Sequence, residues 1–282
     1  MYNEKKMSID KNLIFDLGLH KGEDTEYYLK RGFKVVAVEA DEELVKKNER
    51  YFSNYIKNEN LVIIHGAIND SNSESVTFYK NTKKSVWGTV VKSWAERNAT
   101  LGADSIEVSV KVVNLEQLFE KYGIPYYLKI DIEGMDLIAL KTLFKCITRP
   151  KYISIESEKV DFEKLIEEFD VFESLGYDLF TLVQQSDVAK QRVPVNSTEG
   201  KAIKFSFKTG SSGLFGNDLN VKWLTKNEAI NRYKFIFKLY KIFGDRSIFT
   251  KIYSLKIMKS ILQRIIRKPL PGWYDTHAKL KD

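Results

Sequence analysis

Asp131 and Glu133 stand two residues apart in "LKIDIEGMD" (128–136), at the end of an apolar run and just before Gly134. At strand spacing, side chains at i and i+2 leave the same face, so two carboxylates aim at one place. Such a pair can hold a cationic group, take a proton from a substrate hydroxyl or hold a divalent metal. A solvated strand end is the plain alternative. A second acidic set lies upstream. "FDLGLHKGEDT" (15–25) leaves an apolar run at Asp16 and turns on Gly18 and Gly22 into an acidic helix start, while "KVVAVEAD" (34–41) ends its run at Glu39. The glycines let backbone approach a ligand and helix approach strand. A pyrophosphate-binding turn would read G-x-G-x-x-G, and Asp16 occupies the place of its first glycine. A carboxylate there repels pyrophosphate and attracts an ammonium or sulfonium. An acid at the end of the second strand accepts both hydroxyls of a ribose. Ribose, no phosphate and a cationic amino-acid end describe S-adenosylmethionine. A glycine turn beside a surface acid is the competing reading, and Asp16 disfavours an NAD-dependent oxidoreductase.

The chain has three histidines, His20, His65 and His277. An imidazole has the best unperturbed pKa for proton removal at neutral pH. His20 sits in the first glycine turn, where it serves as base or substrate contact or is one more polar turn residue. His65 ends a strand and reads as structural. His277, in "PGWYDTHAKL", either packs over the site or caps the fold. Asp131, Glu133 and, further off, Glu156 are the other candidate bases. The carboxylates could also hold a divalent metal, but no His/Cys spacing supports zinc, so no metal-site residues are assigned.

These residues need a scaffold that brings strand ends together. Apolar runs at 12–18, 34–40, 61–68, 126–132, 151–157 and 177–183 alternate with helical patterns at 23–32, 41–57, 115–123, 135–146 and 162–176, and "SVTFY" (75–79) and "SIEVSVKVV" (105–113) read as edge strands. That alternation predicts βαβ units and a doubly wound, mostly parallel α/β sheet. Ligands of such sheets bind beyond the C-terminal strand ends, where all the acids named above fall. The irregular segment 81–104 is long for a connection and is expected to be functional.

In order and spacing, "FDLGLHKGEDT", "VEAD", "VVNLEQLF", "YYLKIDIEGMDLIALKTL", "ISIESE" and "LGYDLFTL" resemble the FkbM family of S-adenosylmethionine-dependent methyltransferases over about residues 12–185. "LKIDIEG" is the most specific piece. The resemblance implies the class I, Rossmann-like methyltransferase fold and O-methylation of sugars and related natural products. It implies Asp16, Gly18 and Gly22, with Thr25 in the same turn, around the cofactor's methionine end. It implies Glu39 on the ribose, Ala67 and Ile68 flanking the adenine, and Asp131 and Glu133 beside the reactive methyl. His20 departs from the family's usual Asn and puts an imidazole near the substrate or merely exchanges polar turn residues.

The 282 residues, 43% of them hydrophobic, suffice for a sizeable core. The single cysteine, Cys146, reads as inert core packing and fits a reducing cytoplasm. The polar start predicts no signal peptide, and no apolar stretch of about 18 residues predicts a membrane span. Charge is divided along the chain. Residues 200–282 hold 18 Lys+Arg and 5 Asp+Glu, a net of +13, whereas the rest is net −6. The expected layout is a methyltransferase domain over 1–208 and a basic helical extension over 209–282, with helices at 225–243 and 247–267. Between Arg246 and Lys268 there are seven basic residues and no acidic one. This extension lies on an anionic membrane at the cytoplasmic face, or it packs on the catalytic domain or on a second subunit. Nucleic acid is not expected, since arginine is scarce and no binding module appears. The leading reading is O-methylation of a saccharide or glycoconjugate. The alternatives are a lipid, small-molecule or nitrogen acceptor, and a non-catalytic membrane- or partner-binding module on the same fold.

Overall fold

The computed structural model describes residues 8–158, 161–243, 253–266 and 272–281. Seven strands form the central sheet in the order β3 (Leu61–His65), β2 (Lys34–Glu39), β1 (Ile9–Leu17), β7 (Ile124–Ile130), β8 (Tyr152–Glu156), β10 (Tyr274–Leu280) and β9 (Tyr177–Gln184). Neighbours from β3 to β8 run parallel, and β10 is antiparallel to both β8 and β9. A smaller sheet joins β4 (Ala67–Ile68), β6 (Ser105–Val113) and β5 (Ser75–Asn81) in the order β4-β6-β5. This is the mixed α/β, class I methyltransferase arrangement, with its strand-order reversal between β1 and β7 and its one antiparallel strand.

The helices are α1 (Glu23–Lys30), α2 (Glu42–Tyr51), α3 (Ser53–Lys57), α4 (Lys92–Thr100), α5 (Leu115–Tyr122), α6 (Asp136–Thr142), α7 (Phe162–Ser174), α8 (Gln185–Val188), α9 (Lys226–Phe243) and α10 (Tyr253–Ile266). Their starts are written in the sequence. Asp41, Asn114 and Asp161 accept hydrogen bonds from the first-turn N–H groups of α2, α5 and α7. Three acids fill the first turn of α1 and complement its dipole.

The sheet separates two apolar layers. Phe15, Leu128, Ile130 and Ile155 face Phe119, Leu140, Phe169 and, from α9, Tyr233 and Phe237. On the other side Ile14, Val35 and Tyr127 pack with Tyr28 and with Phe215 from the glycine-rich loop "GSSGLFGNDL" (210–219), whose ring stacks on Tyr127 at 4.3 Å between centroids. Asp218 of that loop forms a buried 2.8 Å ion pair with Arg31 at the end of α1. Cys146 is buried in the first layer and unpaired.

Several expected elements differ. The run 61–68 breaks after His65, because Gly66 passes so close to β6 that a Cβ would meet Val113 Cγ2 at 2.4 Å. Residues 67–68 therefore join the small sheet. The helix expected over 41–57 is divided at Phe52, which packs against Gly22. Within the segment read as a helical extension, 274–280 is instead a strand that enters the central sheet between β8 and β9. Of the helix expected at 247–267, residues 247–252 and 267 lie outside the described residues. No helix among the described residues is long and apolar enough to cross a membrane.

Candidate functional site

A cavity of about 1080 Å³ opens at the C-terminal ends of β1, β2, β7 and β8. That is at the upper end of the roughly 300–1,000 Å³ usual for ligand pockets. The strand ends form its floor. The segment 84–90 and α4 form one wall, and Tyr240 of α9, Lys259 of α10 and Trp273 before β10 belong to the other.

The first corner is held by backbone geometry. Gly18 has φ +91° and passes so close to β7 that a Cβ would lie 1.9 Å from the Asp131 carbonyl oxygen, so no larger residue keeps this turn. Gly22 has φ +80° and leaves no room beside Phe52 and Asn48. Gly18 lines the cavity, while Gly22 and Thr25 do not.

Asp16 is not where its expected role would put it. Its carboxylate is fully buried, 3.0 Å from Lys129 Nζ, and accepts a 2.7 Å hydrogen bond from Thr25 Oγ1. The cause is register: Asp16 and Lys129 are partners across β1 and β7, so both side chains leave the same face. The direct attraction of a cofactor cation to Asp16 is thus corrected, because that charge is neutralised and hidden. Lys129 also donates to the Gly18 carbonyl at 3.0 Å and lies 3.8 Å from Asp131 and 3.9 Å from Asp24. Burial pushes the Asp24 carboxyl up to about 7, against the pull of Lys129 and of the Ser212 N–H.

Glu39 does face the cavity. Its Oε2 accepts from the His20 N–H at 2.7 Å and its Oε1 from the Asp41 N–H at 2.8 Å. Each oxygen retains a lone pair for a ribose hydroxyl. Burial raises its pKa, opposed by those two N–H groups. Ala67 and Ile68 line the same side. The glycine cradle, the strand-end acid and this apolar flank fit an adenosine with a cationic tail.

At the second corner β7 stops at Ile130, and Glu133 takes a left-handed conformation with φ 47°. Asp131 and Glu133 therefore reach the cavity around a turn rather than along one strand face, as the i, i+2 spacing had suggested. Asp136 fixes the turn by accepting from the Ile132 and Gly134 N–H groups at 3.1 and 3.0 Å. Carboxylate oxygens of Asp131, Glu133 and Glu156 lie within 4.8 Å of one another, an oxygen-only set of the kind that suits a hard divalent cation. Asp275, the β10 partner of Glu156, stands beside them. Burial, then the charges of Asp131 and Glu156, push its pKa well above the usual carboxylate range.

His20 lines the cavity in a left-handed conformation with φ 49°. Its Nε2 is 2.8 Å from Ser85 Oγ and its Nδ1 3.7 Å from Glu23 Oε2, so it ties the glycine turn to the 81–104 segment. His65 is exposed, with Nε2 3.2 Å from the Ala40 carbonyl, and His277 is buried inside β10; neither lines the cavity. Sequence reasoning missed Lys129, whose signal is a lone cation inside an otherwise apolar run. Trp87 lies in the segment 81–104, expected to be functional, and Trp273 and Asp275 lie in "PGWYDTHAKL", read as packing over the site or capping the fold.

The Methyltransferase FkbM domain model matches residues 16–179. No curated protein matches the sequence. Solved structures with similarity include precorrin-6y C5,15-methyltransferase from Geobacter metallireducens, at 11% identity over 64% of this chain and 72% of that one, with a TM-score of 0.35. An S-adenosylmethionine-dependent methyltransferase from Archaeoglobus fulgidus is 11% identical over 95% and 86% of the two chains, with a TM-score of 0.35. One from Thiobacillus denitrificans, in complex with S-adenosyl-L-homocysteine, is 9% identical over 96% and 85%, with a TM-score of 0.34. The family match spans more than half of the sequence, over the strand order and glycine corner described above, and the chain belongs to the FkbM family of S-adenosylmethionine-dependent methyltransferases.

Proposed function

We propose that this methyltransferase acts on a hydroxyl oxygen of a saccharide or glycoconjugate, as a step of glycan biosynthesis. The observation that supports this acceptor is the make-up of the cavity beyond the adenosine cradle. There Asp131, Glu133 and Glu156 share the space with Trp87, Tyr240 and Trp273. A sugar offers both hydroxyls, which carboxylates bind, and apolar C–H faces, which lie flat on aromatic rings.

Glu39 would hold the ribose, and the Gly18 turn with Asp131 the methionine end. The cofactor, when bound, supplies an electrophilic methyl on a sulfonium. The protein has to align the acceptor oxygen and receive its proton. Asp131 is the best placed base, with Glu133 and Glu156 beside it, and His20 orients the wall that carries Trp87.

The test is an acceptor screen with isotopically labelled S-adenosylmethionine, reading label in mono- and oligosaccharides by mass spectrometry and locating the methyl by NMR. Label on a sugar oxygen, lost on Asp131→Asn even at saturating S-adenosylmethionine, is the expected outcome. Label only on a lipid, a nitrogen or a non-sugar metabolite would overturn the acceptor. No calorimetric signal with S-adenosylhomocysteine would instead favour a non-catalytic module.

A further inference from the structure

Helix α10 is amphipathic in the wrong sense for a helix that merely covers its own domain. Lys259 and Gln263 face inward and line the cavity. Ile257, Ile261 and Ile265, at i, i+4 and i+8, face outward and are 46, 53 and 71% exposed. At 3.6 residues per turn those two sets lie on opposite faces. A helix packed by the hydrophobic effect alone would turn Ile257, Ile261 and Ile265 in and Lys259 out. Two more large apolar side chains are exposed nearby in sequence, Ile242 at the end of α9 and Trp273 at the cavity rim.

We propose that this face docks on an anionic phospholipid bilayer, with the isoleucines in the headgroup boundary and the cavity mouth held at the surface. The charge selects this occupant. Besides Lys259 in the cavity wall, the sequence from Arg246 to Lys268 carries six Lys/Arg and no Asp/Glu, a basic composition that anionic lipid attracts. A second copy of the chain would bring the same basic segment against itself, and like charges across such a two-fold contact oppose it. The helix has 14 residues, far short of a span, so it lies in the plane of the interface. The docking rests on α10 and does not depend on the chemistry of the acceptor.

Truncating the C-terminus would remove β10 with the helix, so the test uses the full chain and side-chain changes. Co-sedimentation is measured with phosphatidylcholine vesicles, with and without roughly a third of phosphatidylglycerol. The expected result is binding to the anionic vesicles only, weakened by added salt. The triple change Ile257→Ser, Ile261→Ser, Ile265→Ser should weaken it by roughly tenfold or more, with calorimetric binding of S-adenosylhomocysteine unchanged. Failure to pellet with anionic vesicles overturns the proposal, as does pelleting that the triple change leaves intact. A dimer in light scattering that the triple change dissociates, with no vesicle binding by the wild type, would assign the face to a second copy instead.

Discussion

Asp16 and Lys129 meet with both charges out of water, and neither is tolerable alone. The sequence showed the carboxylate at the glycine corner but not its partner, because the pairing depends on which residue of β7 lies beside Asp16, and that register is set in three dimensions. With that pair mutually compensated, the acids of this corner that line the cavity are Asp24 and Asp131. Lys129→Met should leave Asp16 and Asp24 buried without compensation and cost about 3–5 kcal/mol in urea unfolding. Adding Asp16→Asn should recover part of that loss, and strictly additive single and double variants would contradict the pairing. Glu39 was legible as an acid facing the cavity, since the end of the second strand is a fixed place in any such sheet. Glu39→Gln keeps the volume but turns an N–H₂ toward the N–H of His20 or Asp41. Its affinity for S-adenosylhomocysteine should fall by about 10- to 100-fold, a loss of order 1–3 kcal/mol from one unpaired group, read by calorimetry. Unchanged affinity would remove the ribose from this carboxylate.

At the scale of elements, legibility followed apolar pattern. Strands β1, β2, β7 and β8 announce themselves as apolar runs between capped helices, whereas β10 does not. Asp275, Thr276, His277 and Ala278 are all buried, yet three of the four are polar. Hydrogen bonds rather than hydrophobicity hold the strand: Thr276 Oγ1 lies 2.6 Å from Ser157 Oγ and 2.8 Å from Tyr233 OH. No periodicity argument detects such a strand. His277 is its most exposed weakness to acid, because burial lowers its pKa to about 3 and its Nε2 has no hydrogen-bond partner. Below the unfolded value near 6.5 the unfolded chain takes up a proton that the native state refuses, so stability falls with pH between about 6.5 and 3. The loss accumulates to on the order of 4 kcal/mol at pH 3. His277→Leu should flatten that part of the acid limb in urea midpoints taken at pH 7, 5 and 4. Parallel curves for the two proteins would show that another group governs acid lability.

Across the whole molecule, the division of charge was visible in the sequence, but its consequence was not. A net +13 over residues 200–282 suggested a basic helical extension with a role of its own. The fold threads that segment through the catalytic unit. Phe215 stacks under the sheet, Tyr233 and Phe237 of α9 belong to the main core, Lys259 helps line the cavity, and β10 bridges β8 to β9. Remove β10 alone and, among the described residues, β9 loses its only ladder in the sheet and keeps the bridge between Phe180 and Leu224. Two buried hydroxyls, those of Ser157 and Tyr233, would lose Thr276 as partner. A chain ending at residue 271 should therefore lack a cooperative thermal transition and should not bind S-adenosylhomocysteine. A fragment ending at residue 208 should fail in the same way, because it also lacks the aromatic side chains of the glycine-rich loop and α9. Circular dichroism melts and calorimetry on both fragments decide the matter. A sharp melt with intact cofactor binding for the 1–208 fragment would mean that the family domain folds alone and that the basic segment is an accessory after all.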